Sequence, residues 1–351
     1  MIKLDKHIET IRSSTARLSS LSVASANAIA SVLSKHYTTV VVTIIDNFSD
    51  LENLVSRRPD LVFLGMNFVP NNPVLGLLDP DGLWVTTYLD EHNINYTGSG
   101  QAAHEMAVNK ALAKQRVMDN GLKTSPFFVI KQRQIPSKKR LTLNYPVFIK
   151  PVDRGGGLGI DSDSVAYSFE QLCAKVQSIA TNFQSDSLLE EYLPGREFSV
   201  AILKDGLSGQ LVALPLELVA PADTRGVQIL SGQVKSADAE KVSLVTDVVM
   251  KDRIANLAID VFKALGGRDY GRIDIRLDGS GVPQFLEANL IPSLIQNYGS
   301  FPKACVLNIG LQYEPMILNI VRLGLIRNLD NSDYDDEPTS LSMTGASVLP
   351  V

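Results

Sequence analysis

Tyr270-Gly-Arg-Ile-Asp-Ile-Arg-Leu-Asp278 and Gln284-Phe-Leu-Glu-Ala-Asn289 lie close together in the last third of this 351-residue chain. Each alternates with period two, the repeat of a strand. In the first run Ile273, Ile275 and Leu277 share one face, and Arg272, Asp274 and Arg276 share the other. In the second run Phe285, Glu287 and Asn289 share a face. The intervening Gly279-Ser-Gly-Val-Pro283 is turn-rich and predicts a hairpin. Pairing the two strands would gather Arg272, Asp274, Glu287 and Asn289 on one surface. Two carboxylates and an amide oxygen are hard ligands suited to Mg²⁺, and an arginine fork suits a phosphoryl oxygen. A strand with one solvated polar face gives the same alternation, so the hairpin leaves both readings open.

Composition narrows the field. The formal net charge of −5 offers no basic footprint for nucleic acid and makes an anionic membrane surface an unsuitable partner. The two cysteines, Cys173 and Cys305, form no metal spacing and read as small hydrophobes in a reducing compartment. The four histidines show no ligand or catalytic pattern. No apolar stretch is long enough to span a bilayer, and the first residues lack the apolar core of a secretory signal. The expected location is the cytoplasm.

The chain divides by pattern. Residues 1–106 read as an α/β unit with a doubly wound sheet. A helix over Ser22 to Leu33 precedes buried parallel strands at Val40–Ile45 and Leu61–Leu64, and Asp81 to Glu91 looks helical. No strand is evident at the start. Residues 107–186 form a second unit. One helix over Glu105 to Asn120 leads into it, strands follow at Phe127–Ile130 and Tyr145–Lys150, and Ser168 caps another helix. Residues 187–327 form a third, with helices over Asp252 to Leu265 and Pro315 to Leu325. Residues 328–351 are polar and acidic and read as a disordered tail.

Two further runs carry chemistry. Gly155-Gly-Gly-Leu-Gly159 allows backbone N–H groups to approach phosphate oxygens, with Lys150 at the end of the preceding strand. No Gly-Lys-Ser/Thr closes it, so it is not a P-loop, and by itself it is equally a flexible turn. Glu190 and Glu197 flank a Pro-Gly turn. Such carboxylates can accept hydrogen bonds from ribose hydroxyls or an adenine amine, or simply be solvated.

Taken together, Tyr96-Thr-Gly-Ser-Gly100, Tyr145-Pro-Val-Phe-Ile-Lys-Pro151, Glu190-Glu-Tyr-Leu-Pro-Gly-Arg-Glu-Phe198, Gly271-Arg-Ile-Asp274 and Leu286-Glu-Ala-Asn289 resemble the ATP-grasp superfamily, most closely the D-alanine–D-alanine ligase family. The resemblance spans about Arg17 to Leu325 and is strong from Tyr96 onward. It implies a three-domain ATP-grasp architecture: an N-terminal doubly wound α/β domain, then two α+β domains clamping ATP. By the same resemblance Lys110, Lys150 and Lys235 would contact ATP phosphates, with Gly155, Gly156, Gly157 and Gly159 closing as a lid. Glu190 would take the adenine amine, the backbone at Glu191, Tyr192 and Leu193 the ring edge, Leu286 the ring face and Glu197 the ribose. Asp274, Glu287 and Asn289 would hold two Mg²⁺, for which Mn²⁺ could substitute, and Arg272, with Lys150 and Lys235, would serve catalysis. In this family a carboxylate attacks ATP to form an acyl phosphate, from which an amine displaces phosphate. Homodimers are usual in it.

Departures from the family pattern cluster where amino-acid substrates would bind. Leu18 stands where a glutamate grips an amino group, Gly156 and Gly157 replace lid serines, Lys235-Ser236 replaces Lys-Tyr, and Ile291-Pro-Ser293 replaces Ser-Pro-Gly. Arg17 is a candidate carboxylate contact. The expected function is ligation of a carboxylate, such as an amino acid, to an amine, with altered specificity. A genuine D-alanine–D-alanine ligase and a non-catalytic nucleotide binder are the alternatives.

Overall fold

The computed structural model describes residues 2–15, 21–72, 76, 79–132, 134–139, 141–223, 225–237 and 239–328. Its first sheet is parallel, with β1 (Leu4–Arg12) between β2 (Tyr37–Ile44) and β3 (Leu61–Leu64). Alternation along these strands feeds two cores. Ile8, Leu61 and Phe63 meet Ile29 and Leu33 of α1 (Val23–Leu33), while Ile11, Val62 and Leu64 meet Leu51 and Leu54 of α2 (Phe48–Ser56). One helix on each face makes the sheet doubly wound. Ser22 caps α1 by accepting from the Ser25 N–H, and Asn47 with Asp50 forms a capping box on α2.

Two expectations fail in this sheet. The opening strand is present and central. Its apolar signal is masked by Glu9, fully buried, whose carboxylate receives Nε and Nη2 of Arg57, each at 2.7 Å. The bidentate pair makes a charge tolerable inside a sheet. β2, read as a buried strand, is an edge strand with most of its residues partly or fully exposed.

β4 (Phe68–Val69) pairs with β5 (Leu83–Trp84), and this pairing delays the helix expected from Asp81, so that α3 is Val85–Glu91. The single helix expected over Glu105 to Asn120 is two, α4 (Gln101–Val108) and α5 (Lys110–Asp119). Asn109 breaks them with extended backbone, and its side chain caps α5 by accepting from the Ala111 and Leu112 N–H groups.

The second sheet has the order β6-β9-β7-β8: β6 (Phe127–Ile130), β7 (Val147–Pro151), β8 (Val165–Ala166) and β9 (Ser187–Glu191). α6 (Phe169–Phe183) covers it through Leu172, Val176 and Ile179. Ser187–Glu191, expected to open the third unit, therefore belongs to this sheet, where it lies between β6 and β7.

The third sheet runs β12-β11-β10-β13-β14 and is antiparallel. Its strands are β10 (Glu197–Lys204), β11 (Leu211–Val219), β12 (Lys241–Leu244), β13 (Tyr270–Leu277) and β14 (Pro283–Asn289), with α7 (Gly232–Ser236) and α8 (Val248–Ala264) between them in sequence. On one face Ile254, Val261 and Phe262 of α8 meet Phe198, Val200, Ile273, Ile275 and Phe285. On the other, α9 (Ser300–Ile309) and α10 (Tyr313–Leu325) share a core with Ala201, Leu203 and Tyr270. That core continues into α1, Ile8 and Phe63, so α9 and α10 join the third sheet to the first. β10 to β12 and α9 were not expected from sequence.

The hairpin of β13 and β14 forms with one change. Asp274 faces Glu287, but Ile275 faces Phe285, so Leu286 is an extra residue at a bulge. The bulge reverses the alternation. Phe285 turns into the α8 core with Ile273 and Ile275, and does not share the face of Glu287 and Asn289 as expected. Among the described residues no single helix is long and apolar enough to cross a membrane. Cys305 is buried and Cys173 half-buried. Residues 329–351, where the acidic tail was read, lie outside the described residues.

The bulge makes a contrast testable by urea denaturation. Phe285→Ala removes a fully buried ring and should cost about 3–5 kcal/mol. Leu286→Ala, at the half-buried neighbour, should cost clearly less. Equal losses would contradict the bulged register.

Candidate active site

A cleft of about 840 Å³ separates the second and third sheets. On its floor Arg272 and Asp274 of β13 stand opposite Asn289 and Glu287 of β14. Arg272 donates to both oxygens of Asp274, Nε at 2.9 Å and Nη2 at 2.8 Å. Ser199 Oγ on β10 donates to Asp274 Oδ1 at 3.0 Å, and Asn289 Nδ2 approaches Oδ2 at 3.4 Å. Burial opposes the charge on Arg272, but Asp274 outweighs it and raises the guanidinium above its ordinary value. Two carboxylates and an amide at adjacent register positions fit a hard divalent cation. No group of three His, Cys, Asp or Glu occurs among the described residues, so a cation here would draw its third protein ligand from Asn289. It would also compete with Arg272 for Asp274.

The opposite wall is built on Glu190 of β9, which is 2% exposed. Lys114 Nζ lies 2.8 Å from Oε2 and Lys150 Nζ 2.7 Å from Oε1, and Ser125 Oγ donates to Oε2 at 3.2 Å. Burial would raise the carboxyl, but Lys114 and Lys150 outweigh burial and hold it at about 2. Burial lowers Lys150 too, yet Glu190 more than restores it. For Lys114, donating also to Thr124 Oγ1 at 2.6 Å, burial prevails and the ammonium is lowered. Lys110 is buried beside them, donates to the Arg154 carbonyl at 2.6 Å and stands 3.9 Å from Glu287 Oε2, so it spans wall and floor.

Glu197, at the start of β10, receives Nη1 of Arg276 at 2.9 Å. Arg276 also lies over the Tyr192 ring at 5.3 Å. Tyr192, Leu193, Phe148 and Leu286 give this end of the cleft an apolar lining. The N–H groups of Glu191 and Tyr192 are engaged by the Pro126 and Pro146 carbonyls.

The glycine loop borders the cleft. Gly156, Gly157 and Gly159 have φ of 65°, 80° and 77°. A Cβ on Gly157 would meet Gly232 N at 2.6 Å, whereas one on Gly155 would meet nothing within 4 Å. The loop therefore seats against the start of α7, the helix that carries Lys235. The Lys235 side chain lies outside the described residues, as do Arg17 and Leu18. A second contact bridges the same gap: Arg225 donates to the Ser162 carbonyl at 2.5 Å and lies over the Tyr167 ring at 5.7 Å.

Ser199, Arg276 and His104, which line the cleft, and Lys114, buried beside Glu190, were given no role by sequence. Lys114 is signalled only by its i+4 spacing from Lys110 on α5. Ser199 and Arg276 follow the alternation of β10 and β13. His104, on the wall formed by α4, has no sequence signal.

Two antiparallel sheets closing on such a cleft, beside a doubly wound domain, define the ATP-grasp architecture. The D-ala D-ala ligase C-terminus family matches residues 117–322. The chain is 30% identical over 236 residues to the D-alanine–D-alanine ligase of Bordetella avium, covering 65% of this chain and 69% of that one. It is 29% identical over 282 residues to that of Halalkalibacterium halodurans, covering 78% and 85%. The D-alanine–D-alanine ligase of Bacillus anthracis complexed with ATP shares the fold with a TM-score of 0.72 at 18% identity, covering 91% of this chain and 97% of that one. The chain belongs to the D-alanine–D-alanine ligase family.

Two measurements probe the cleft. Glu190 has a depressed folded value, so its stabilisation is present above its unfolded value of about 4.3 and is lost as pH falls toward about 2. Glu190→Gln should be less stable than the parent at pH 7, and the difference should shrink as pH falls through that window. A difference independent of pH would contradict the paired carboxylate. Gly157→Ala should slow ATP turnover about tenfold, from a left-handed penalty of roughly 1–2 kcal/mol, while Gly155→Ala stays near the parent.

Proposed function

We propose that this chain is an ATP-dependent ligase that joins a carboxylate to an amine, at least one of them an amino acid, through an acyl phosphate. The observation that carries the reading is the meeting of Arg272, Asp274, Glu287 and Asn289 on the floor with Lys110 and Lys150 on the wall of one cleft. Lys110 and Lys150, with Lys235, would hold the phosphates of ATP. Arg272 would orient the transferred phosphoryl group. Asp274, Glu287 and Asn289 would hold Mg²⁺, which when bound neutralises charge on the phosphates. Glu197 would take the ribose, with Leu286 under the base. Glu190 has both oxygens engaged by lysines, so its first task is to fix Lys150, and an adenine amine would share the carboxylate. Because the N–H groups of Glu191 and Tyr192 are engaged, the ring edge would meet the backbone at Leu193.

The reaction then needs positioning more than proton chemistry. A carboxylate oxygen attacks the terminal phosphorus, ADP leaves, and the acyl phosphate is attacked by a neutral amine, releasing phosphate. The glycine loop and the Arg225 contact would exclude water, against which an acyl phosphate is unstable. The cytoplasm, where ATP and free amino acids are supplied, suits this activity.

The second reading is synthesis of D-alanyl-D-alanine itself, favoured by the names of the relatives. Ile291, Ser293 and Gly156 line the cleft, with Gly157 next in the glycine loop, at positions where the family pattern has other residues. These support a different substrate pair. Phosphate release from ATP across D-alanine and a panel of L- and D-amino acids decides between them, since a clear preference for D-alanine with itself would establish the second reading.

Glu287→Gln should reduce turnover by about 10²-fold or more, with the melting temperature retained. Glu197→Ala should act mainly on the KM for ATP, because ribose contacts change little between ground and transition states. Near-parental turnover by Glu287→Gln at limiting Mg²⁺ would remove Glu287 from the metal set.

A further inference from the structure

β2 (Tyr37–Ile44) ends the first sheet, with β1 on one side and no strand on the other among the described residues. Just past it, the Ile45 N–H donates to the Arg12 carbonyl. Backbone groups alternate in direction along a parallel strand, so the odd-numbered residues of β2 turn to β1 and the even-numbered ones turn outward. The N–H and C=O groups of Thr38, Val40, Val42 and Ile44 therefore form an open row, with no backbone partner among the described residues. Such an edge is ordinarily protected by a charged side chain, a proline or a bulge. Tyr37–Ile44 contains no charged residue and no proline, and its register with β1 is regular from Thr39 to Ile44. Val41 is 37% exposed and Ile44 45%. None of the residues of β2 lines the cleft, so covering this edge leaves the cleft open.

Thr39-Val-Val-Val-Thr43 reads the same in both directions. A second copy laid antiparallel about a two-fold axis at Val41 therefore meets its own sequence: Val41 faces Val41, Val40 faces Val42 and Thr39 faces Thr43. Thr–Thr and β-branched pairs across antiparallel strands are favourable. In the same register the outward backbone groups of Val40 stand against those of Val42, and those of Thr38 against those of Ile44, which fills the open row. The flanks match as well. His36, preceded by Lys35, comes opposite Asp46 of the second copy, so the basic end of each strand meets the acidic end of the other. A shifted register loses the palindrome, and a foreign strand has no use for it. We propose that this chain forms a symmetric homodimer through β2, the N-terminal sheets of two copies joining into one across their antiparallel β2 strands.

The experiment uses the full chain. Light scattering and sedimentation at micromolar protein should give the mass of a dimer. Val42→Pro removes an outward N–H that β1 does not use, so the strand keeps its own sheet while the partner is refused. This variant should dissociate at least about tenfold more readily, with its melting temperature close to the parent's. Cysteine cross-linking reads the register directly, whether or not Val42→Pro folds. On the two-fold axis Val41 meets its counterpart with Cα atoms about 4.5 Å apart, within disulfide reach. Thr39 is offset from its counterpart by about 14 Å, outside that reach. Val41→Cys should therefore form a covalent dimer on mild oxidation, and Thr39→Cys and the parent, with its own two cysteines, should not. A parent that stays monomeric across the micromolar range overturns the proposal. So does a folded Val42→Pro that dimerises as the parent does, since the contact then lies elsewhere. Failure of Val41→Cys to cross-link, or equal cross-linking by Thr39→Cys, overturns it too.

Discussion

Charge balance in a closed space organises this molecule. Lys110, Lys150, Arg272 and Arg276 line one cleft and Lys114 lies buried beside Glu190, and each stands against a carboxylate: Glu287, Glu190 for two lysines, Asp274 and Glu197. A lysine or arginine removed from water without a partner would lose its charge or unfold its surroundings. Pairing keeps the cations charged and aimed before any ligand arrives. The arrangement has a consequence for catalysis. Because the protein's own acids already answer its cations, little net positive charge remains for a polyphosphate. A bound divalent ion, held by the same acids, would supply the difference and release Arg272 for the phosphoryl group.

The pairs are held by strand register. Asp274 lies opposite Ser199 on one side and Glu287 on the other, so β13 sets the floor as an interior strand of its sheet. The Leu286 bulge then lets one strand serve two masters: Phe285 enters the α8 core, and Leu286 and Glu287 both reach the cleft. Beyond the floor, the ring of Tyr96 in the N-terminal part lies against the guanidinium groups of Arg268 and Arg327, at 5.0 and 5.1 Å. Arg327 also pairs with Asp269 and donates to the Tyr96 carbonyl. Together with α10, these contacts hold the first sheet against the third.

Much of the site was legible from local pattern. The alternation in 270–278 and the motif at 284–289 located the floor, and Lys150 with its glycines located the wall. Other features were hidden by the physics that makes them work. β1 reads poorly because Glu9 sits inside the sheet, and Arg57, 48 residues away, together with Thr43 makes that acceptable. The single helix read across Asn109 is two because the Asn109 side chain satisfies the N–H groups of Ala111 and Leu112, a choice that periodicity does not register. Lys114 looked like any lysine on a helix surface until β9 brought Glu190 to it.

By itself the sequence determined the chemistry available, namely which strands alternate, which acids, lysines and glycines exist, and the family whose order they follow. Those properties are local, set by side-chain type and by spacing within a few residues. Tertiary structure decided which carboxylate answers which cation, that Ser187–Glu191 joins the second sheet, and that Leu286 bulges. Each of those depends on groups far apart in the chain meeting where water is excluded, and only there does a missing or added partner carry a large free energy.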